Sequence, residues 1–469
     1  MRVYFILTNI NGYHEDTYSF GLASIVSVAK KAGHDARVAV IKDRAASRAA
    51  LHDIESFHPA VVGFTSVSSQ FNFVKEMSDA VKKRLPGAVA VCGGTHPTIN
   101  PECILECKSM DGIFIGESES SFVEFLDKIE KGRSYRDTDN LAYRSGGKIV
   151  RNKLKPLMAS LDVVPFPDKL TYPFGDTVRV TGYAPFLFSK GCPYLCTYCS
   201  NHSVAKTYNL SVNYPRYRSP ESSVAEIEDA LSHFSFGRIF IVDDIFGLNK
   251  AWRDEFCEKY RKRIGLKFQC LLRANLIDED FIRLLKSSGC YRISIGIESG
   301  NAWVRNEVMK RNISDLAIVN AFDCARRHGI QTNAINIIGS PGETDEMIWD
   351  TIRLNRRVRP TSSGINIFYP YKGTVLGDSC FDKGMVDEEA YLSFSNERRQ
   401  SVLNYPLDMK KRLVYYHENW EQLIWPFDMR RRLIRLIKNT SFGKSIRGGK
   451  RLARRYIDII SKRLKGEPA

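Results

Sequence analysis

The sequence has no long hydrophobic run. No apolar stretch approaches the roughly 18 residues that a bilayer crossing needs. The N-terminal VYFIL is short and is followed at once by Asn9 and Asn11. It carries no cleavage-site pattern, so it reads as a buried strand rather than an export signal, and the expected compartment is the cytoplasm. A disulfide framework is missing too. Eleven cysteines is an odd number, and most stand singly inside apolar segments, where cysteine behaves as a small buried hydrophobe. Cys103 and Cys107 lie four apart on an expected helix, where they would share a face. No G-x-G-x-x-G follows the first expected strand, which weighs against a dinucleotide there. There is no internal repeat beyond an alternation of strands and helices.

What is present is core material. The chain has 469 residues, 43% of them hydrophobic and 26% charged, enough for a globular protein of two to four domains. Its formal net charge of +16 is unevenly placed. Met429 to Lys465 holds fourteen Arg or Lys and one acid, Asp458, and with Glu467 beyond it residues 429–469 carry +12, leaving residues 1–428 at +4. The basicity therefore belongs to a C-terminal segment.

Residues 1–135 alternate short apolar runs with helical patterns, which predicts a doubly wound parallel sheet. Its strands end in small or polar residues (TNING, TSVSS, CGGTH, GESES), the edge at which such sheets bind ligands. Residues 136–180 are polar and Pro-rich and read as a linker, with a hairpin around LAYRSGGKIV. Residues 181–376 predict about six strands, each followed by a helix or loop: a partial or full β/α barrel. Polar residues gather at the strand ends, namely Lys190, Asp243, Asp244, Arg273, Glu298, Ser299, Ser340 and Glu343. Residues 377–469 read as a helical region ending in the basic tail.

The first barrel strand delivers SKGCPYLCTYCSN, with Cys192, Cys196 and Cys199 spaced C-x3-C-x2-C. Two metal centres suit that spacing. One is a structural zinc with His202 as fourth ligand. The other is a four-iron cluster held by three thiolates, its fourth iron open to a cofactor or substrate. Placement at the chemical face of a barrel favours the cluster, because a structural zinc has no need of it.

This stretch, with Tyr198 before the last cysteine, resembles the cluster loop of the radical S-adenosylmethionine (radical SAM) superfamily. The resemblance covers about residues 184–375. It implies that the open iron is chelated by the amino and carboxylate groups of S-adenosylmethionine, which an electron from the cluster cleaves to a 5′-deoxyadenosyl radical. FIVDDIF resembles the segment that receives the methionyl ammonium, making Asp243 and Asp244 candidates. Arg273 resembles the position near the cofactor carboxylate and ribose. Glu298 and Ser299 resemble the ribose-contacting segment. INIIGSPGE resembles the segment near the adenine, where Gly339 and Gly342 permit close backbone approach.

The N-terminal region resembles the cobalamin-binding domain of cobalamin-dependent radical SAM proteins. TSVSS, with Thr65, Ser66 and Ser68, corresponds to the hydroxyl-bearing loop near the nucleotide tail of cobalamin. VCGGTHPT, with Gly93 and Gly94, corresponds to the loop over which that tail runs. GESESS, with Glu117, resembles the acidic turn that closes the domain. Many such domains carry D-x-H-x-x-G after the first strand. Here the loop reads TNINGYHEDTYSFG and His14 is out of frame, implying cobalt without a histidine lower ligand. A methylthiotransferase-type domain would need a second cluster, for which Cys92, Cys103 and Cys107 are poorly arranged.

These resemblances imply three cofactors: a 4Fe-4S cluster, S-adenosylmethionine and cobalamin. The expected activity is methyl transfer to an unactivated carbon. Cyclisation, ring contraction or redox rearrangement with the same cofactors is the alternative, and a non-enzymatic, zinc-stabilised binding protein a second one. The expected partners are a small-molecule or lipid substrate and a one-electron reductant of flavodoxin or ferredoxin type. In the tail, Leu452, Tyr456, Ile459, Ile460 and Leu464 form one apolar stripe among basic residues. That pattern suits packing on the protein itself or peripheral contact with an anionic inner-membrane surface, and less well nucleic acid.

Overall fold

The computed structural model describes residues 1–10, 18–209, 215–393 and 398–428. His14 and the basic tail lie outside the described residues.

Strands β1 (Arg2–Thr8), β2 (Asp35–Ile41), β3 (Val61–Thr65), β4 (Val89–Gly93) and β5 (Gly112–Phe114) form a parallel sheet in the order β2-β1-β3-β4-β5. Along β1, Val3 and Phe5 enter one hydrophobic core, while Tyr4 and Ile6 enter another on the opposite face. Burial on both faces is why this strand reads as continuously apolar instead of alternating. Helix Phe20–Lys31 starts where the Ser19 side chain accepts a hydrogen bond from the Leu22 N–H, and helix Arg44–Phe57 where Asp43 caps Ala46. Strand order reverses between β1 and β3, so a crevice opens at their C-terminal ends.

The predicted hairpin is present. β6 (Leu141–Ser145) and β7 (Lys148–Arg151) turn through Gly146 and Gly147, both at positive φ, and add antiparallel to β5. The first sheet thus continues past the expected boundary at residue 135. The Pro-rich segment after it packs closely instead of linking loosely. Tyr172 and Phe174 are buried against Tyr18 on the first lobe, and Phe174 also against Phe186 on the second. Lys169 forms a buried ion pair with Glu226 at 2.7 Å.

Eight further strands follow: β8 (Ala184–Phe186), β9 (Ser189–Lys190), β10 (Arg216–Tyr217), β11 (Arg238–Ile241), β12 (Lys267–Leu272), β13 (Cys290–Glu298), β14 (Gln331–Ile338) and β15 (Ser362–Ile367). Six of them form a parallel sheet in the order β15-β14-β13-β12-β11-β8, and β9 pairs antiparallel with β10. β8 and β15 are the two edges, so the barrel is partial. Helix Leu407–Ile424 buries Met409, Leu413, Tyr416, Trp420 and Ile424, one stripe at helical spacing, against Ile338, Ile365 and Ile367. Among the described residues no helix is long and apolar enough to cross a membrane.

Candidate active site at the strand ends

The cysteine loop leaves β9 through Gly191, at φ 101. Cys196 is buried, Cys192 and Cys199 are half-buried, and none forms a disulfide. Backbone contacts hold the loop in place. The Thr197 N–H donates to Met309 O at 3.2 Å, its hydroxyl to Val308 O at 2.7 Å, and Leu376 N–H to Thr197 O at 2.9 Å. Burial pushes the Cys192 thiol up to about 11 and the Cys199 thiol up to about 12. The thiols are therefore protonated at neutral pH until a metal displaces the protons.

The spread of these donors separates the two metal readings. Ligands on a single zinc at about 2.3 Å would lie about 3.8 Å apart. Among the described residues, no three of Cys192, Cys196, Cys199 and His202 place ligand atoms within 4.8 Å of one another. That arrangement does not form a single-ion site. The one trio that close, Glu279, Cys324 and His328, has its carboxylate shared between Arg327 and His328, so a cation would have to displace a guanidinium.

Around the loop, the second sheet contributes the buried charged side chains Asp243, Arg273 and Glu298, with Asp244 exposed beside them. Asp243, after β11, accepts from the Phe188 and Ser189 N–H groups at 2.7 and 3.2 Å through Oδ1, while Oδ2 is buried without a partner among the described residues. Burial pushes its pKa up to about 7. Desolvation by its surroundings also raises Asp244, opposed by a hydrogen bond from Asn201. The Arg273 guanidinium lies 3.7 Å from the Tyr194 ring centroid and 3.9 Å from Cys196 Sγ. Glu298 ends β13 at φ 62, a left-handed conformation unusual for a non-glycine residue, beside a register shift between Gly296 and Glu298. Burial raises its pKa and the nearby Arg311 opposes the rise.

Arg311 was not found by sequence reasoning. It reaches in from the loop after β13, pairs with Glu298 at 3.3 Å, and donates to Tyr198 Oη at 2.7 Å and to Gly296 O at 2.8 Å. Its Nε has no partner among the described residues, and neither do Ser340 Oγ and Glu343 Oε1. Glu343 Oε2 accepts from Ser340 N–H at 3.0 Å, and burial pushes this carboxyl up to about 7. Buried polar atoms left open in this way are what a polar cofactor at the strand ends would satisfy. Gly339, at φ 76, completes the turn. Ser299 does not join the group: its hydroxyl accepts from Asn301 N–H at 3.2 Å and lies 3.5 Å from Thr351 Oγ1.

At the edge of the first sheet lies a cavity of about 260 Å³. Thr65, Gly93, Gly94 and Glu117 line it, and so does Lys190 from β9. Gly94 sits at φ 102, and a Cβ there would stand 2.7 Å from Ser66 O and 2.9 Å from Ser66 N. Side-chain-free backbone beside a cavity at a strand crevice suits the close approach of a cofactor's tail. Ser66 and Ser68 fall elsewhere. The Ser66 hydroxyl donates to Val67 O, and Ser68 meets His96 at 3.0 Å beside a second cavity of about 240 Å³. Cys92, Cys103 and Cys107 are core residues, and Cys103 lies in the 3-10 turn Pro101–Glu106 rather than an α-helix.

Residues 186–354 match the family model described as the radical SAM superfamily, and residues 7–126 match the B12 binding domain. An uncharacterized methyltransferase of Pyrococcus horikoshii is 28% identical over 331 residues, covering 69% of this chain and 70% of that protein. The cytidylyl-2-hydroxyethylphosphonate methyltransferase of Streptomyces wedmorensis is 24% identical, covering 83% of this chain and 82% of its own length. An anaerobic magnesium-protoporphyrin IX monomethyl ester cyclase of Rubrivivax gelatinosus is 25% identical, but the match spans only 61% of that protein. In fold, the chain resembles the radical S-adenosylmethionine methyltransferase TsrM of Kitasatospora setae, with a TM-score of 0.66, 18% identity and coverage of 82% of this chain and 76% of that one. These matches set aside the zinc-stabilised binding protein. The chain is a radical SAM superfamily protein with an N-terminal B12-binding domain, an enzyme whose cofactors are a 4Fe-4S cluster, S-adenosylmethionine and cobalamin.

Proposed function

We propose that this enzyme transfers a methyl group to an unactivated carbon of a small-molecule or lipid substrate. The observation that carries the reading is the meeting of two sites: Lys190, two residues before Cys192, also lines the cavity at the edge of the first sheet. The radical centre and the methyl carrier would then work side by side, as transfer between them requires. When bound, the cluster and S-adenosylmethionine supply a carbon-centred radical and cobalamin supplies a methyl group.

The chain's own residues bind and orient. Cys192, Cys196 and Cys199 hold the cluster. Asp243 and Asp244 face the methionyl ammonium, Arg273 its carboxylate, and Glu298 the ribose hydroxyls, with Tyr198 and Arg311 fixing the Glu298 carboxylate. Ser299 and Gly339 shape the adenosine end through their backbone. Thr65, Gly93, Gly94 and Glu117 line the cobalamin cavity, and Ser66 and Ser68 brace the loop beside it. Burial of Asp243, Arg273 and Glu298 keeps bulk water from their part of the site. A flavodoxin- or ferredoxin-type protein supplies the electron, and the enzyme works in the cytoplasm, with the basic tail available to an anionic membrane surface.

The test uses S-adenosylmethionine labelled in its methyl group, the anaerobically loaded enzyme and a reductant, with candidate substrates read by mass spectrometry. Label in the product supports methyl transfer. Turnover with 5′-deoxyadenosine formed and no label in the product supports the second reading, a cyclase-like rearrangement, which the relative named as a cyclase favours.

A further inference from the structure

The loop after β5 belongs to the first sheet, yet the second lobe grips it at three points. Arg216 on β10 forks onto the Glu117 carboxylate, with Nη1 donating to Oε2 at 3.0 Å. Lys190 on β9 donates to Glu119 Oε1 at 2.7 Å. The Tyr208 hydroxyl accepts from the Glu117 N–H at 2.8 Å. Gly116, at φ 76, lies so close under Tyr208 that a Cβ there would overlap its hydroxyl. Burial alone would raise Glu119, but the Lys190 ammonium outweighs it and holds the carboxyl below its ordinary value. This pair is charged and desolvated, and so sensitive to geometry.

Position along the chain makes the grip significant. Lys190 enters the cysteine loop, being followed by Gly191 and Cys192. Tyr208 closes helix Ser200–Thr207, which starts directly after Cys199. Both ends of the cluster-bearing segment are therefore fastened to one turn, Gly116–Glu119. That turn also walls the 260 Å³ cavity, together with Lys190 and Val204. The Glu119 carboxylate accepts a further bond from Ser24 Oγ at 3.0 Å, tying in helix Phe20–Lys31, whose Gly21 and Leu22 line the same cavity.

The geometry points to a coupling device: the Gly116–Glu119 turn makes the cluster and cobalamin bind cooperatively, with Glu117, Glu119 and Lys190 as positioning residues. Both cofactors bear on the same turn and its charge pairs, so a shift that one imposes there is felt at the other's site. Coupling of this kind is reciprocal, and it is independent of which group the enzyme transfers.

The test measures hydroxocobalamin affinity of the full chain by anaerobic equilibrium dialysis with cobalt analysis, in cluster-loaded protein and in protein stripped of iron. The expected result is affinity about tenfold tighter with the cluster present. Lys190→Gln and Glu119→Gln bring the ratio close to one, whereas Lys190→Arg keeps most of it. Tyr208→Phe, which removes a single hydroxyl, guards against a folding defect and gives an intermediate ratio. A wild-type ratio within about twofold of one overturns the coupling. So does an undiminished ratio in both glutamine variants. Cobalamin bound without linkage overturns the coupling alone, whereas no cobalamin binding in either form also overturns the cofactor assignment.

Discussion

Arg311 and Glu298 offer the sharpest test of how the site is built. Their side chains are 8% and 10% exposed, so neither charge has bulk water as an alternative partner. Removing one member of such a pair strands the other in a desolvated place, at a cost of about 3 kcal/mol or more. Arg311→Met also takes a hydrogen-bond donor from Tyr198 and from Gly296 O. Removing both charges relieves the stranded group. Arg311→Met should lower the midpoint of thermal unfolding of the cofactor-free protein by roughly 6–12 °C, taking 2–4 °C per kcal/mol for a domain of this size. Arg311→Met/Glu298→Gln should recover a third or more of the loss. The assay is a double-mutant cycle by calorimetry under anaerobic conditions, with Glu298→Gln as the fourth corner. Additive effects, with the double variant losing the sum of the two singles, would refute the reasoning, because the two residues would then be independent. S-adenosylmethionine binding provides a second reading of the cycle. Without Arg311 the burial that raises the Glu298 pKa loses its largest opponent and only Tyr198, Arg273 and Arg398 still act against it, so affinity should weaken near neutral pH and recover as pH rises and the carboxylate ionises.

Three further outcomes are expected. Cys192→Ala, Cys196→Ala or Cys199→Ala should each drop iron from about four to below one per chain on reconstitution; an unchanged cluster absorbance in any of them contradicts the ligand set. Gly94→Ala places a Cβ 2.7 Å from Ser66 O at φ 102, and cobalamin affinity should fall about tenfold or more, read by dialysis. Finally, Asp243 and Glu343 both stand at about 7 in the folded protein, above their ordinary values, because of burial. The folded state then keeps protons that the unfolded chain releases. That contribution to stability is full below about pH 4 and is lost as pH rises to about 7, at up to about 1.4 kcal/mol per unit for each group. The unfolding midpoint of cofactor-free protein should fall from pH 5 to 7.5 and then level, with Asp243→Asn and Glu343→Gln each flattening the slope; a slope unchanged in both variants excludes these groups as its source.

Local spacing made part of this site legible. C-x3-C-x2-C is a short-range pattern, and a parallel strand followed by a polar residue marks a ligand edge wherever it occurs, which is how Asp243, Arg273 and Glu298 could be singled out. Arg311 had no such mark. It lies in VMKRNIS, off any strand end, and its importance exists only because the chain after β13 folds back over Glu298. Ser68 and Ser299 show what the sequence does not encode, since a hydroxyl at a loop is as ready to serve its neighbours as a ligand, and theirs meet His96 and Asn301. The polarity of residues 136–180 suggested a linker. Its few aromatics and a buried ion pair decide the matter instead: Tyr172 and Phe174 are inserted between the lobes, and Lys169 is buried against Glu226. Whether the barrel closes depends on strand pairing at the edges, which no single strand encodes.

The hydrophobic core that contains Val3 and Phe5 runs without interruption through Tyr18 and Phe174 to Phe186 and Ile239. The molecule has no greasy seam along which its halves can slide apart, because parting them would bring these rings into water at about 25 cal/mol per Å². Hinged gaping, the usual default for two-lobed proteins, is therefore closed to it. Access to the strand ends therefore falls to the loops around them, the part of the fold that this shared core does not pin.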